Sequence, residues 1–133
     1  MELEANEKGR LMNEDNSKKL IEDFPLLYRK NNYFECGNGW FTILYILSKN
    51  LEKIIEKQEE KEKAEGFQNS FYAVQVKEKY GTLRFYMSVE TEEMSQFIRE
   101  AEKFSSCTCE LCGNKGKLIN KNHWYSTRCE VCA

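Results

Sequence analysis

Apolar residues along the chain change their period several times, and each change marks an element. Leu20, Ile21 and Phe24 follow Ser17, a residue suited to capping a helix start, and precede Pro25, which breaks or restarts the helix. Residues 1–16 are polar, rich in Asn and Glu and without apolar periodicity, so they read as a frayed lead-in. After Leu26, Leu27 and Tyr28, the segments Asn31-Asn32 and Cys36-Gly37-Asn38-Gly39 predict a turn-rich loop in which the glycines take positive φ. From Trp40 to about Ala64, apolar positions at Trp40, Phe41, Ile43, Leu44, Leu47, Leu51, Ile54 and Ile55 are spaced for one face of a long helix. Beyond Ile55 the sequence is mostly Glu and Lys, which predicts last turns that project into solvent and end at Gly66.

The period then falls to two. Tyr72, Val74 and Val76 alternate, as do Leu83, Phe85, Met87 and Val89, with Lys77 to Gly81 as a polar crossing, which predicts a β-hairpin. Lys77, Lys79, Tyr80, Arg84 and Tyr86 interleave cations with aromatic rings on its other face. A third helix starts at Thr91 as N-cap with Glu92 and Glu93 in its first turn. Its stripe is Met94, Phe97, Ile98, Ala101 and Phe104, and it stops near Ser105-Ser106. The expected fold is α+β, with helices packed on a small antiparallel sheet and a C-terminal zinc ribbon: lead-in 1–16, core 17–106, ribbon 107–133.

The ribbon is read from cysteine spacing. Cys109 and Cys112 form one C-x2-C pair and Cys129 and Cys132 another, with sixteen residues between them, a spacing that fits a four-cysteine zinc site. Each short turn aims two sulfurs at one point, and Gly113 suits the tight backbone of a metal knuckle. Lys117 to Asn120 and Trp124 to Arg128 predict two strands joined by Asn120-Lys121-Asn122. Leu118, Ile119, Trp124 and Val131 are the main apolar residues of the segment. So small a unit needs a metal to fold, and four thiolates leave a Zn²⁺ no open position, which makes one structural ion the expected cofactor. Cys107 could replace a member of the first pair, and His123 could replace a thiolate. Cys36 stands alone in its loop and reads as a spare thiol.

Composition narrows the field. At 133 residues, with 41% apolar and 32% charged side chains, the chain suits one compact domain with at most a small appendage. The longest apolar run, Trp40 to Leu47, falls far short of the roughly 20 residues a membrane span needs, and the acidic start lacks the apolar stretch of a secretory signal. A reducing cytoplasm is the expected setting, where cysteine clusters serve metals or redox chemistry more often than disulfides. Net charge is −2, and only residues 107–133, with four basic and two acidic side chains, lean basic, which speaks against a phosphate-neutralising surface over the whole molecule.

Catalytic signatures are missing. The chain has no G-x-x-x-x-G-K-[ST], G-x-G-x-x-G or G-x-S-x-G motif, and no H-x-E element before a P-C-x-x-C pair. One histidine supports few acid–base schemes, so no enzyme is expected.

The runs Cys36-Gly-Asn-Gly-Trp-Phe41, Val74-Gln-Val-Lys-Glu-Lys-Tyr-Gly-Thr-Leu-Arg-Phe-Tyr86 and Cys109-Glu-Leu-Cys112-Gly113, with Trp124 before the last cysteine pair, resemble a group of small zinc-ribbon proteins encoded by bacteriophages and prophages. The resemblance spans roughly residues 24 to 132. It implies a non-catalytic protein that binds a host protein in the host cytoplasm, with inhibition of a defence nuclease or of transcription machinery as the first partner classes. The alternative is a nucleic-acid-binding regulator in which Lys115, Lys117, Lys121 and Arg128 meet phosphates while Trp124 and Tyr125 stack on bases.

Overall fold

The computed structural model describes residues 11–66 and 69–133. Its elements run α1 (Glu14–Asp23), β1 (Phe34–Glu35), a 3₁₀ turn (Asn38–Trp40), α2 (Phe41–Glu65), β2 (Ala73–Lys79), β3 (Thr82–Met87), α3 (Glu92–Ser105), β4 (Lys117–Lys121) and β5 (Trp124–Arg128). The fold is α+β, as the periodicity predicts. Among the described residues no helix is long and apolar enough to cross a membrane.

α1 starts earlier than its stripe suggests. Asn13, not Ser17, is the N-cap: its Oδ1 accepts the Asn16 N–H at 2.8 Å. Met12 is buried, so the tail end of the expected lead-in belongs to the core, while residues 1–10 lie outside the described residues. The Asn13 N–H donates in turn to Asn38 Oδ1 at 2.8 Å, tying the helix start to the Cys36–Trp40 loop.

α2 follows the predicted span. Leu44, Leu47, Leu51, Ile54 and Ile55 are buried, and Gly66 ends the helix at φ 85°, its N–H reaching the carbonyls of Glu62 and Lys63. The charged second half is not simply solvated. Glu52 and Glu62 are buried: Glu52 accepts the Leu26 and Leu27 amides at 3.1 and 2.8 Å, and Glu62 accepts the Ser70 amide at 3.2 Å. Glu59 is paired with Arg29. Glu52 and Glu62 satisfy backbone donors of the chain before and after the helix, work a charge count cannot reveal.

The main sheet has three strands in the order β1-β2-β3. β2 and β3 form the expected antiparallel hairpin, but β1 adds a short parallel strand, with Phe34 opposite Val76 and Glu35 opposite Lys77. Lys77, Glu78 and Lys79 belong to β2, so the crossing is only Tyr80-Gly81, both with positive φ (53° and 85°), as a two-residue hairpin turn with right-handed strand twist demands. A register shift between Ala73 and Gln75 changes the inside–outside phase: Ala73 and Val76 are buried whereas Val74 is exposed, contrary to the Tyr72-Val74-Val76 alternation. α3, capped by Thr91 Oγ1 on the Met94 N–H at 3.2 Å, lies along the outer edge of β3. Its Ser105 Oγ and Glu102 Oε2 accept the Leu83 and Phe85 amides at 2.9 and 3.0 Å, closing an edge that would otherwise offer free donors. One core contains Leu20, Leu27, Trp40, Leu44, Leu51, Ile55, Val76, Leu83, Phe85 and Met94, while Phe104, expected in the α3 stripe, is 63% exposed.

Candidate metal centre

After α3 the chain makes its first knuckle, the β4–β5 hairpin and its second knuckle. In both knuckles the residue after the second cysteine donates its N–H back to the carbonyl of the first: Gly113 to Cys109 at 2.9 Å and Ala133 to Cys129 at 3.0 Å. Gly113 takes φ 84°, the left-handed geometry for which glycine was read at that position. The hairpin between them turns at Asn122-His123, both with positive φ, rather than across Asn120-Lys121-Asn122. Its five cross-strand pairs run from Lys117–Arg128 to Lys121–Trp124 and bring the two knuckles together.

The result is a compact sulfur cluster. The Sγ atoms of Cys109, Cys112, Cys129 and Cys132 all lie within 4.8 Å of one another, with Cys112 and Cys129 at 3.5 Å. A tetrahedron with metal–sulfur bonds of about 2.3 Å has edges of about 3.8 Å, so four sulfurs at these separations can surround one ion. Burial works against the charged form of Cys109, but backbone N–H groups from Cys129, Cys112 and Leu111 outweigh it and bring its thiol down to about 6. The adjacent Cys129 sulfur pushes Cys132 the other way, up to about 12. Thiols this close cannot all ionise on their own, and a divalent cation among them removes that conflict.

The structure separates the ligand set from its rivals. Cys107 is exposed and its Sγ donates to the Phe104 carbonyl at 3.3 Å, and His123 sits in the left-handed tip of the β4–β5 turn; neither joins the cluster. Cys36 is fully buried, and that burial, followed by the nearby carboxylates of Glu110, Glu78 and Glu35, pushes its thiol far above the ordinary value, so it stays protonated.

Of the apolar residues expected to support the module, Leu118, Trp124 and Val131 are exposed and Ile119 is half-buried. Besides the two cysteines Cys109 and Cys129, its buried residues are Glu110 and Thr127, and each has a side-chain partner in the α+β core. Thr127 Oγ1 donates to the Gly81 carbonyl at 2.7 Å. Glu110, between the first two cysteines, accepts the Gly37 N–H at 2.9 Å through Oε2 and faces Arg128 Nη1 at 3.3 Å through Oε1. Sequence inspection passes over both: a glutamate and a threonine in a polar stretch look like surface residues until long-range partners appear.

The residues read as a nucleic-acid face divide. Register puts Lys117, Lys121, Trp124 and Arg128 on one side of the hairpin, and Tyr125 on the other, edge-on to Tyr80 at 6.5 Å. Arg128 is committed to Glu110, with only 14% of its side chain exposed. On the larger sheet Lys77 lies opposite Arg84, and Lys79 Nζ sits 5.6 Å from the Tyr80 ring.

The glycines of the Cys36–Trp40 loop serve contact, not positive φ. Gly37 has φ −79°, and a Cβ on Gly39 would lie 2.1 Å from the Cys109 carbonyl oxygen and 2.5 Å from the Glu110 carbonyl carbon. The first knuckle therefore rests directly on this loop, backbone against backbone. No protein-family model, curated protein or solved structure matches this chain.

Proposed function

We propose that Cys109, Cys112, Cys129 and Cys132 hold one structural Zn²⁺ and that the protein acts without catalysis, by binding a protein partner. The observation that carries the reading is the closed set of four sulfurs. Thiolates select soft or borderline ions, four of them fill a tetrahedral shell, and no position remains for a substrate or an activated water. The other candidate nucleophile and base support the same reading: the Cys36 thiol is buried and protonated, and the single histidine forms a hairpin turn. The likeness to phage-encoded ribbon proteins supports a host protein in the cytoplasm as partner, with a defence nuclease or transcription machinery as the classes to test.

Charge favours a protein over a nucleic acid. Residues 107–133 carry four basic and two acidic side chains, but four thiolates around a divalent ion add two negative charges. The metallated module is then neutral, and its apparent basic lean balances its own metal centre instead of phosphates.

Two measurements test the proposal. Elemental mass spectrometry on purified protein should find one zinc per chain, and a metal-free, fully folded chain would refute the metal assignment. Immobilised protein should then retain an equimolar host protein from nuclease-treated lysate. A mobility shift with single-stranded DNA or RNA that weakens steeply with salt, and that charge reversal at Lys117 and Lys121 abolishes, would instead establish the nucleic-acid regulator.

A further inference from the structure

We infer that metal loading holds the Cys36–Trp40 loop closed, with Glu110 as the positioning residue, so that the first knuckle acts as a metal-dependent latch on the α+β core. The inference rests on the metal assignment proposed above and extends it to the behaviour of the fold.

Every group that fixes the loop from the ribbon side lies within two residues of a sulfur ligand. Glu110 Oε2 accepts the Gly37 N–H at 2.9 Å, and the Glu110 carbonyl accepts the Gly39 N–H at 2.7 Å. The Thr108 carbonyl accepts the Trp40 indole N–H at 2.9 Å. Gly39 has no room for a Cβ against Cys109 and Glu110, so loop and knuckle fit in one relative position. Glu110 is itself held from behind: its N–H donates to the Thr127 carbonyl at 3.1 Å, and Arg128 pairs with its second oxygen. Both of those partners belong to β5, which leads into the second knuckle, so joining the knuckles through one ion sets Glu110 in place.

Both end residues of the loop, Cys36 and Trp40, are fully buried. Immediately before it is β1, two residues long and paired with β2 only through Phe34 and Glu35. A strand this short supplies little stability of its own, so the segment from Phe34 to Trp40 depends on the knuckle that covers it. With the ion gone, sulfurs as close as 3.5 Å no longer share a cation, the knuckle relaxes, and the loop loses its three ribbon hydrogen bonds together. α2, the β2–β3 hairpin and α3 pack on one another independently of the ribbon and stay folded.

Hydrogen exchange read by mass spectrometry on the full chain tests this, with metal content measured on the same samples. The samples are loaded protein, protein stripped with EDTA, and loaded Glu110→Gln, a volume-conserving change that leaves the ligands alone. Stripping should speed exchange roughly tenfold or more in residues 34–40 and the first knuckle while α2 and β2–β3 keep their protection. Loaded Glu110→Gln should show faster exchange at the loop with one metal retained, and N-ethylmaleimide should modify Cys36 in stripped protein but not in loaded protein. Unchanged loop protection in the stripped protein, or simultaneous loss of protection in every element, would overturn the latch while leaving the metal site standing. Absence of metal from untreated protein that cannot be reconstituted with Zn²⁺ would overturn the metal assignment itself, and the latch with it.

Discussion

Glu52 lies midway along α2 among apolar neighbours, where a carboxylate is costly unless its oxygens are used. They are used on the Leu26 and Leu27 amides, which follow Pro25 at the point where the chain turns over the helix. Replacing Glu52 with Ala leaves both donors without an acceptor, so urea unfolding should show a loss of about 2 kcal/mol. The group also titrates against its environment. Burial raises its pKa, the two amide hydrogen bonds oppose the rise, and the net shift is upward. Just above the ordinary carboxylate value, the folded chain therefore keeps a proton that the unfolded chain has released. The Glu52 contribution to stability is complete below that value and is lost as pH rises through the shifted pKa. Wild type should gain stability over Glu52→Gln as pH falls through this weakly acidic window, and a pH-independent difference would refute the assignment. None of this was legible in the Glu- and Lys-rich run, because a carboxylate that caps a remote backbone turn has the same sequence signature as one facing water. The four cysteines were legible for the opposite reason: their constraint is local, two residues of spacing within each pair.

At the scale of elements, the helices were readable because an apolar stripe and its cap are both short-range features. Thr91 starts α3 and Gly66 ends α2 in the structure as the sequence implies. β3 keeps the expected facing, with Leu83 and Phe85 buried, but β2 does not, because one bulged residue, Val74, shifts the alternation and no local signal announces it. β1 is not legible because two residues paired in parallel to a strand 42 positions on, Phe34 to Val76, have no period at all. Glycine shows the same contrast between local and distant causes. Gly66 and Gly81 share φ 85°, yet a Cβ on Gly66 meets nothing within 4 Å, while on Gly81 it would lie 2.5 Å from Leu118 Cδ1 and 3.0 Å from the Ser126 amide nitrogen. Gly66→Ala should therefore cost about 1 kcal/mol, the left-handed strain alone. Gly81→Ala should cost about 2–3 kcal/mol, because the β4–β5 hairpin must also shift. Equal losses in thermal unfolding of the two variants would mean that the turn and the ribbon do not pack as described.

For the whole molecule, the decisive feature is that the ribbon lacks an apolar interior of its own. Trp124 and Val131 are exposed, Leu118 lies against Gly81 of the β2–β3 turn, and the buried side chains Glu110 and Thr127 bond to Gly37 and Gly81 of the core. An ion held by the four sulfurs would have to organise the knuckles in any setting, but in the full chain the docked loop and the β2–β3 turn already hold part of that geometry. Ordering that the core has supplied is ordering the ion does not have to drive, so affinity should be higher in the full chain than in a peptide of residues 107–133. Competition against a chromophoric chelator should show Zn²⁺ bound at least about tenfold more tightly by the full chain, about 1.4 kcal/mol. Thr127→Val, which removes the hydroxyl bonded to Gly81 without touching a sulfur, should weaken binding in the full chain and leave the peptide unchanged. Equal affinities for chain and peptide would make the ribbon an independent appendage. A selective loss in the full chain would instead show that docking on the β2–β3 turn contributes to metal affinity, so that a partner gripping this turn also senses whether the metal is bound.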